Sequence, residues 1–378
     1  MTKSQTAYQE LKRRLNQGIY LPMTKLPGEV VLAKELGISR VTLRTALKQL
    51  IKEGFIVASG RSGNYVSEKV SGKKYLILVS GYAEDLNIPE QYIISALRLN
   101  LSHAGHSLEV FTLKNLEELS LEEWNRTLIN NRISGVFLLG DYAPHEKTEI
   151  EKLNKTAVPM VKLLSNLNRD MYHIPAVIID ERQCFLDGVR HLAMQGHKRI
   201  ATIFAIRHDG IFRRGLELEE YKEFLRCNGL CDDDSLILHT HYNETKAAVK
   251  KLLLGIEPPT AFMCFCDTRA LQVYAAAKDL KLRIPHQLSV MGMCGYSERL
   301  FALPKLSVVN FHYDRICGEA VKLILHSQEW FDTPDQNDLT ILIPHTVEDS
   351  DSTTVPFGMK KVSNPAAVKN INSSKYFS

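Results

Sequence analysis

The stretch Leu26–Val66, LPGEVVLAKELGISRVTLRTALKQLIKEGFIVASGRSGNYV, reads as two short helices joined by a tight turn and followed by a small β-ribbon. Gly28 and Glu29 open the first helix, whose apolar positions are Val30, Val31, Leu32, Ala33 and Leu36. Gly37 stands where a left-handed C-terminal cap is needed. Ser39 stands where the next helix needs an N-cap, a side-chain oxygen that accepts one of the free backbone amides. At about 100° per residue, Leu43, Ala46, Leu47 and Leu50 of the second helix fall on one side, and Val41, Arg44, Thr45, Lys48 and Gln49 on the other. A packed back with a basic, hydroxylated front suits a DNA major groove, although the same front also reads as the solvated face of a plain helix pair. Gly54 ends the helix, Phe55–Val57 alternate into a strand, and Gly60-Arg61-Ser62-Gly63 form a turn carrying one cation before Tyr65 and Val66. These features predict a helix-turn-helix with a wing.

The stretch resembles the winged-helix domain of the GntR family of bacterial regulators. The resemblance rests on Leu26-Pro27-Gly28-Glu29, Leu32-Ala33, Leu36-Gly37-Ile38-Ser39-Arg40, Thr42-Leu43-Arg44, Ala46-Leu47, Leu50 and Gly54, with Gly60 and Gly63 ahead of Val66. It implies that Arg40, Thr42 and Arg44 touch bases or phosphates and that Gly63 lets the wing tip approach the minor groove; with Glu29, Ser39, Thr45, Lys48 and Arg61 beside them, these make up the expected DNA-binding set. One position departs from the pattern: the family often has Arg directly after the Glu, and here that residue is Val30.

Charge is distributed in keeping with this. Residues 1–70 hold 12 Lys+Arg and 5 Asp+Glu, a net +7, which leaves −3 for the rest of a chain that totals +4. The basic excess is confined to the small domain, as expected if only that part meets phosphates. Seven irregularly spaced cysteines argue against a disulfide framework and for a reducing cytoplasm. The N-terminus is polar, and no apolar run is long enough to cross a bilayer. At 378 residues the chain has room for two or three domains with their own cores.

In chain order, Ser4–Gly18 reads as a first helix with Tyr8, Leu11 and Leu15 on one stripe; Lys12, Arg13 and Arg14 beside it suit either DNA-backbone contact or a solvated face. The polar run SEKVSGKK, residues 67–74, reads as a linker. From Tyr75 onward strands and helices alternate. Strand-like runs begin at Tyr75, Ser107, Ile133, Val158, Ala176, Arg199, Ala261 and Gln287, separated by helical stretches. Recurrent βα units of this kind predict doubly wound parallel sheets, and two sets predict two lobes whose ligand sits at the carboxyl ends of strands where the lobes face each other. The fold class expected is therefore α/β, an N-terminal winged helix-turn-helix followed by a two-lobed core. The expected domains are 1–67 for the head, 68–74 for the linker, 75–349 for the core with lobe crossovers near 180, 306 and 338, and 350–378 for a disordered tail rich in Ser, Asn and Lys.

This core resembles the LacI/GalR regulators, themselves similar to periplasmic sugar-binding proteins. The matching segments are Ser134–Leu138, His191-Leu192 with Gly196–Ala201, Pro258–Phe262 with Asp267 and Ala270-Leu271, Ile284-Pro285 with Leu288–Gly292, and Leu303–Val309. The resemblance implies a carbohydrate effector in the cleft, since sugar hydroxyls need charged and amide partners while a C–H face needs an aromatic ring. It points to Arg213 and Arg214, near the family's Arg position, to Tyr242, to Asp267 and to Cys294. Tyr242 reads equally well as a half-exposed loop tyrosine, and Asp180, at a crossover, as a hinge or capping residue. Two departures stand out: the family's Asn before Asp267 is Cys266, and the segment after Gly292, usually Tyr-Asp-Asp, is Met293-Cys294-Gly295.

Other chemistry is not supported. His239 and His241 with Cys227 and Cys231 match no standard zinc spacing, and there is no Ser-His-Asp order, phosphate loop or GxGxxG after a strand. No enzyme, cofactor, metal or membrane partner is expected. The expected protein is a ligand-responsive cytoplasmic transcription regulator, a repressor by family weighting, that binds operator DNA as a homodimer. A constitutive regulator with a degenerate pocket and a receptor without a DNA role are the alternatives.

Overall fold

The computed structural model describes residues 2–16, 19–20, 22–67, 72–79, 88–139, 147–164, 174–207, 210–212, 215–331 and 339–358. The chain divides into two compact units: Met1–Ile178 with Tyr313–Ile341, and Ile179–His312 with Leu342–Ser378.

The first unit begins with the head. Helices α1 (Lys3–Asn16), α2 (Glu29–Glu35) and α3 (Arg40–Lys52) precede a ribbon of β1 (Ile56–Ala58) and β2 (Asn64–Val66). Leu11 and Leu15 from α1, Leu32 from α2, Leu43, Leu47 and Leu50 from α3, and Leu26, Ile56 and Val66 form one core. A seven-residue helix can turn only one side inward, so α2 buries Leu32 and Ala33 and leaves Val30 and Val31 exposed. Gly37 adopts φ 62°, the left-handed geometry expected of it. Sequence reading missed a third edge to the ribbon. The Leu26 amide donates to the Asn64 carbonyl (2.9 Å) and the Val66 amide to the Thr24 carbonyl (2.9 Å).

The rest of this unit is a lobe of β3 (Lys74–Val79), α4 (Ile88–His103), β4 (Ser107–Thr112), α5 (Leu113–Glu117), α6 (Leu121–Asn130), β5 (Ile133–Leu139), α7 (Lys147–Asn154), β6 (Met160–Leu164) and β7 (Ala176–Ile178). The strands β4-β3-β5-β6-β7 pair in parallel in that order. Leu76, Leu78, Val136 and Leu138 of the sheet pack with Trp124 and Leu128 of α6, and the Trp124 indole donates to Thr156 Oγ1 (3.0 Å). The segments that follow β3, β5 and β6 lie outside the described residues.

The second unit contains α8 (Glu181–Met194), β8 (Ile200–Arg207), β9 (Gly210–Phe212), α9 (Leu218–Cys227), β10 (Ile237–Thr240), α10 (Thr245–Leu253), β11 (Ala261–Cys264), α11 (Asp267–Asp279), β12 (Ser289–Cys294) and β13 (Ser307–Asn310). The parallel order β10-β8-β11-β12-β13 repeats the winding of the first lobe, and the sheet reverses direction of growth between β8 and β11. The chain then returns to the first unit through α12 (Tyr313–Leu325) and β14 (Thr340–Leu342), and ends in the second with β15 (Thr346–Glu348), antiparallel to β13.

Two expectations are corrected. The second crossover falls after His312 rather than near 306, because Ser307–Asn310 pairs in parallel with β12 and so stays with its lobe. The third falls after Ile341, close to the expected 338. The tail is not disordered from Ser350: Ser352 is fully buried, its hydroxyl donates to the Val290 carbonyl (2.6 Å) and accepts from the Ser307 amide (2.8 Å), and its carbonyl accepts from the Val290 amide (2.9 Å). Small hydroxylated residues suggest solvent in the sequence, but here they serve as hydrogen-bond partners where β12 and β13 begin. Residues 359–378 lie outside the described set.

Candidate DNA-facing helix and effector site

On α3, Ser39 caps the helix by accepting the Thr42 amide (3.1 Å), and its hydroxyl meets that of Thr42 (2.8 Å). The division of faces is as the sequence predicts: Leu43, Ala46, Leu47 and Leu50 are buried while Val41, Arg44, Thr45, Lys48 and Gln49 are exposed. Glu29 Oε2 receives the Arg44 Nε at 2.8 Å and lies 3.7 Å from the Arg40 guanidinium. Glu29 thus contacts both of the arginines expected to face DNA. Thr45 bonds back to the Val41 carbonyl (3.2 Å). At the wing, Gly63 has φ 99°, a conformation L side chains avoid, and a Cβ there would sit 3.1 Å from Lys25 Cε. Arg61 stands in the same turn, and its side chain is outside the described residues.

The basic residues of α1 have protein partners. Lys12 pairs with Glu53 (3.0 Å) over the Phe55 ring; Arg13 and Arg14 both bind Glu10, and Arg14 reaches Glu35 (3.1 Å). The two guanidiniums hold the Glu10 carboxyl down to about 2. This favours the solvated, internally paired reading of that face over a phosphate-contacting one.

In the second unit, the sequence-predicted effector residues separate. Arg213 and Arg214 lie outside the described residues. Tyr242 is more than half exposed and opens a 3-10 turn just after β10. Asp267, at the start of α11, is buried: its Oδ2 accepts the Tyr296 amide (2.5 Å), its Oδ1 has no hydrogen-bond partner among the described residues, and burial pushes its carboxyl up to about 7. Cys294 is also buried, at φ 106°, so its thiol faces the lobe interior where the family pattern would place an acid. Asp180 turns out to be the N-cap of α8, accepting the Gln183 amide (2.8 Å). Among the described residues no group of three or more His, Cys, Asp or Glu could hold a metal ion, and no helix is long and apolar enough to cross a membrane.

A residue that sequence reading missed joins this region. Arg269, 6% exposed on α11, donates through Nη1 to Thr245 Oγ1 and to Thr240 Oγ1 (3.4 Å), and its guanidinium carbon lies 5.4 Å from the centre of the Tyr242 ring. Thr240 ends β10 and Thr245 begins α10, so three elements converge on one guanidinium at the carboxyl edge of the sheet. The signal was present: Arg269 shares the inward stripe of α11 with Val273 and Ala276, four and seven residues on. A cation on an apolar stripe is the anomaly a helical wheel exposes.

Residues 3–66 match the sequence model of bacterial regulatory proteins of the gntR family, and residues 189–353 that of the periplasmic binding protein-like domain. The chain is 23% identical over 351 residues to the arabinose metabolism transcriptional repressor of Halalkalibacterium halodurans, covering 86% of this chain and 88% of the relative. It is 29% identical over 229 residues to catabolite control protein A of Priestia megaterium, covering 60% and 66%. Among solved structures, the LacI-type putative regulator of Bacillus cereus subsp. cytotoxis aligns with TM-score 0.60 at 22% identity over 75% of this chain and 99% of that one. The CelR–cellobiose complex aligns with TM-score 0.57 at 19% identity, over 86% of this chain and 100% of that one. The glucose-bound CCPA of Weissella paramesenteroides gives 0.58 at 20%, over 75% and 99%. The chain therefore joins a GntR-type helix-turn-helix to a periplasmic-binding-protein-like core, its relatives are transcriptional regulators and not enzymes, and its fold is that of LacI-type regulators.

Proposed function

We propose that this chain is a cytoplasmic transcriptional repressor that grips operator DNA through α3 and its wing as a homodimer and changes that grip when a carbohydrate-type effector binds its core. The observation that carries this reading is α3 itself, an exposed face of Arg44, Thr45 and Lys48 on a helix whose back is fully packed, joined to a periplasmic-binding-protein-like core. Arg40, Thr42 and Arg44 would touch bases or phosphates, and Glu29 would hold the arginines ready. Two-fold symmetry of the dimer would set half-sites about 10 bp or a multiple apart on one DNA face. An effector with unequal affinity for two states of the dimer would shift the spacing at which the heads are held, and with it operator affinity. The relatives' names support repression and a sugar signal.

The test is a gel shift of the purified protein on the DNA upstream of its own gene, with and without pools of sugars and sugar phosphates. A sequence-specific shift released by one pool is the expected result. A shift indifferent to every pool would favour a second reading, a constitutive DNA-binding regulator with a degenerate pocket, which the inward-facing Cys294 supports. No sequence-specific shift would remove the DNA-binding role.

A further inference from the structure

Arg269 is a buried cation in the second lobe. A guanidinium stays charged at any accessible pH, and burying it without an opposite charge costs several kcal/mol. Here burial pulls its ionisation below the usual arginine range, and among the described residues no carboxylate lies within ion-pair distance of it. Its bonded partners are two threonine hydroxyls, which orient it without neutralising it. Those bonds use Nη1 alone, so the parallel donors of the fork that recognise a two-oxygen anion are not spent on them. Its place is equally specific. Thr240, Thr245 and the first turn of α11 hold it at the carboxyl ends of β10 and β11, on either side of β8, beside the point where the winding of this lobe reverses. In open α/β sheets that is where ligands bind. Tyr242, half exposed against the same guanidinium, offers a ring face next to it.

We propose that Arg269 is an anion subsite, so that the effector is a carbohydrate bearing a phosphate or carboxylate group, with the Arg269 guanidinium on the charged oxygens and the Tyr242 ring against the sugar's C–H face. This rests on the proposed role of the core as an effector domain and narrows it to charged sugars. It also accounts for the missing acids: a lobe that receives an anion gains from Cys294 and Gly295 in place of carboxylates, which would repel it.

The experiment titrates the full-length protein calorimetrically with matched sets of neutral pentoses and hexoses, their phosphate esters and their sugar acids, with inorganic phosphate as a bare probe. The phosphate and acid arms distinguish the two sources of charge. The expected result is one charged member binding about tenfold or more tightly than its neutral parent, the scale of a charge-assisted hydrogen-bond pair. Arg269→Gln should abolish that preference while leaving ligand-free operator affinity unchanged, and Arg269→Lys should restore part of it. A neutral sugar that binds as tightly as its charged counterparts and releases the operator would overturn the anion subsite and leave the repressor standing. A charge preference that survives Arg269→Gln would overturn it as well. A protein that binds no member of any set, with an operator shift indifferent to all of them, would overturn both the anion subsite and effector control, and leave the constitutive DNA-binding regulator. Comparing matched ligands on the wild-type chain needs no variant, so a poorly folded Arg269→Gln does not remove the test.

Discussion

On α3 the cations are exposed, and the acid that steadies Arg40 and Arg44 reaches them from the neighbouring helix at the surface. In the second lobe Arg269 and Asp267 lie two residues apart on α11, both buried, and among the described residues neither has an opposite charge within ion-pair distance. The two arrangements cost different amounts and so suit different tasks. An exposed ion pair contributes about 0–1 kcal/mol, which means Arg44 can exchange Glu29 for a phosphate or a base edge at little expense. A buried unpaired charge costs several times that, and it is maintained only by surroundings that fix its position. The exposed arginines of α3 are free to change partners, whereas the buried groups of α11 are held in place.

The largest expected effect tests how far the head's exposed face depends on its packed back. Leu43 is fully buried on α3, and Leu43→Ala should cost about 2–5 kcal/mol through lost burial and the cavity left behind. Operator binding should fall with the melting of the head, read by circular dichroism and gel shift on the same sample. Full DNA affinity in a variant of unchanged stability would show that α3 does not need its hydrophobic back.

The second prediction probes buried polar groups in the lobe by pH. His197 is buried, with Nδ1 2.8 Å from Thr260 Oγ1 and Nε2 2.8 Å from the Thr354 carbonyl, and burial pushes its imidazole down to about 4. An imidazole depressed in the folded state is protonated first in the unfolded one, whose value is the ordinary 6.5. Its contribution is therefore whole above pH 6.5 and lost as pH falls toward 4, by at most about 3 kcal/mol. Asp267 acts in the opposite sense. Its carboxyl is raised from 3.8 to about 7, so the folded state holds the proton more tightly and stability falls as pH rises through that range. His197→Gln should flatten the acid limb of Tm against pH, and Asp267→Asn the limb approaching neutrality. Curves parallel to wild type in both variants would contradict the assignment.

How much of this was legible in the sequence follows the same division. The head announced itself because its signals are local: Gly37 for a left-handed cap, Ser39 for an N-cap, and a 3.6-residue stripe from Leu43 to Leu50, each decided within a few residues. Most of the parallel strands are equally legible as apolar runs, whereas the four-residue β10 and β13 are too short to stand out and go unread. The failures were non-local. Ser352 reads as tail until its hydroxyl is seen between Val290 and Ser307, and Arg269, though anomalous on the wheel of α11, shows its partners only when Thr240 and Thr245 close around it. Asp267 carried a family motif, but the Tyr296 amide that occupies one of its oxygens comes from a turn 29 residues away.

The third prediction returns to α3. Arg44→Ala removes the better-placed of the two arginines on Glu29, and if Arg44 reads a base it should weaken operator affinity by roughly 1–3 kcal/mol and relax preference at one position of the half-site. Folding should hardly change, since the pair it breaks is exposed. Unchanged discrimination between operator and random DNA would remove Arg44 from base readout and leave it a phosphate contact at most.

The smallest expected effect sharpens the contrast most, because it adds a charge where the head has none. Val30 follows Glu29 on α2, at the position where the family pattern often carries Arg, and it is 62% exposed with no place in the head's core. Val30→Arg therefore disturbs no packing, and it places a new guanidinium one residue from the acid that already steadies Arg40 and Arg44. If α2 faces the DNA backbone, affinity should rise by about 1 kcal/mol at low salt, for operator and random DNA alike, because a phosphate contact carries no sequence information. The plot of log affinity against log salt should steepen by about one unit, the counterion released by one added contact. A gain confined to the operator would mean that the new side chain reads a base. No gain and no change of slope would mean that this end of α2 points away from DNA and that α3 and the wing make the approach without it.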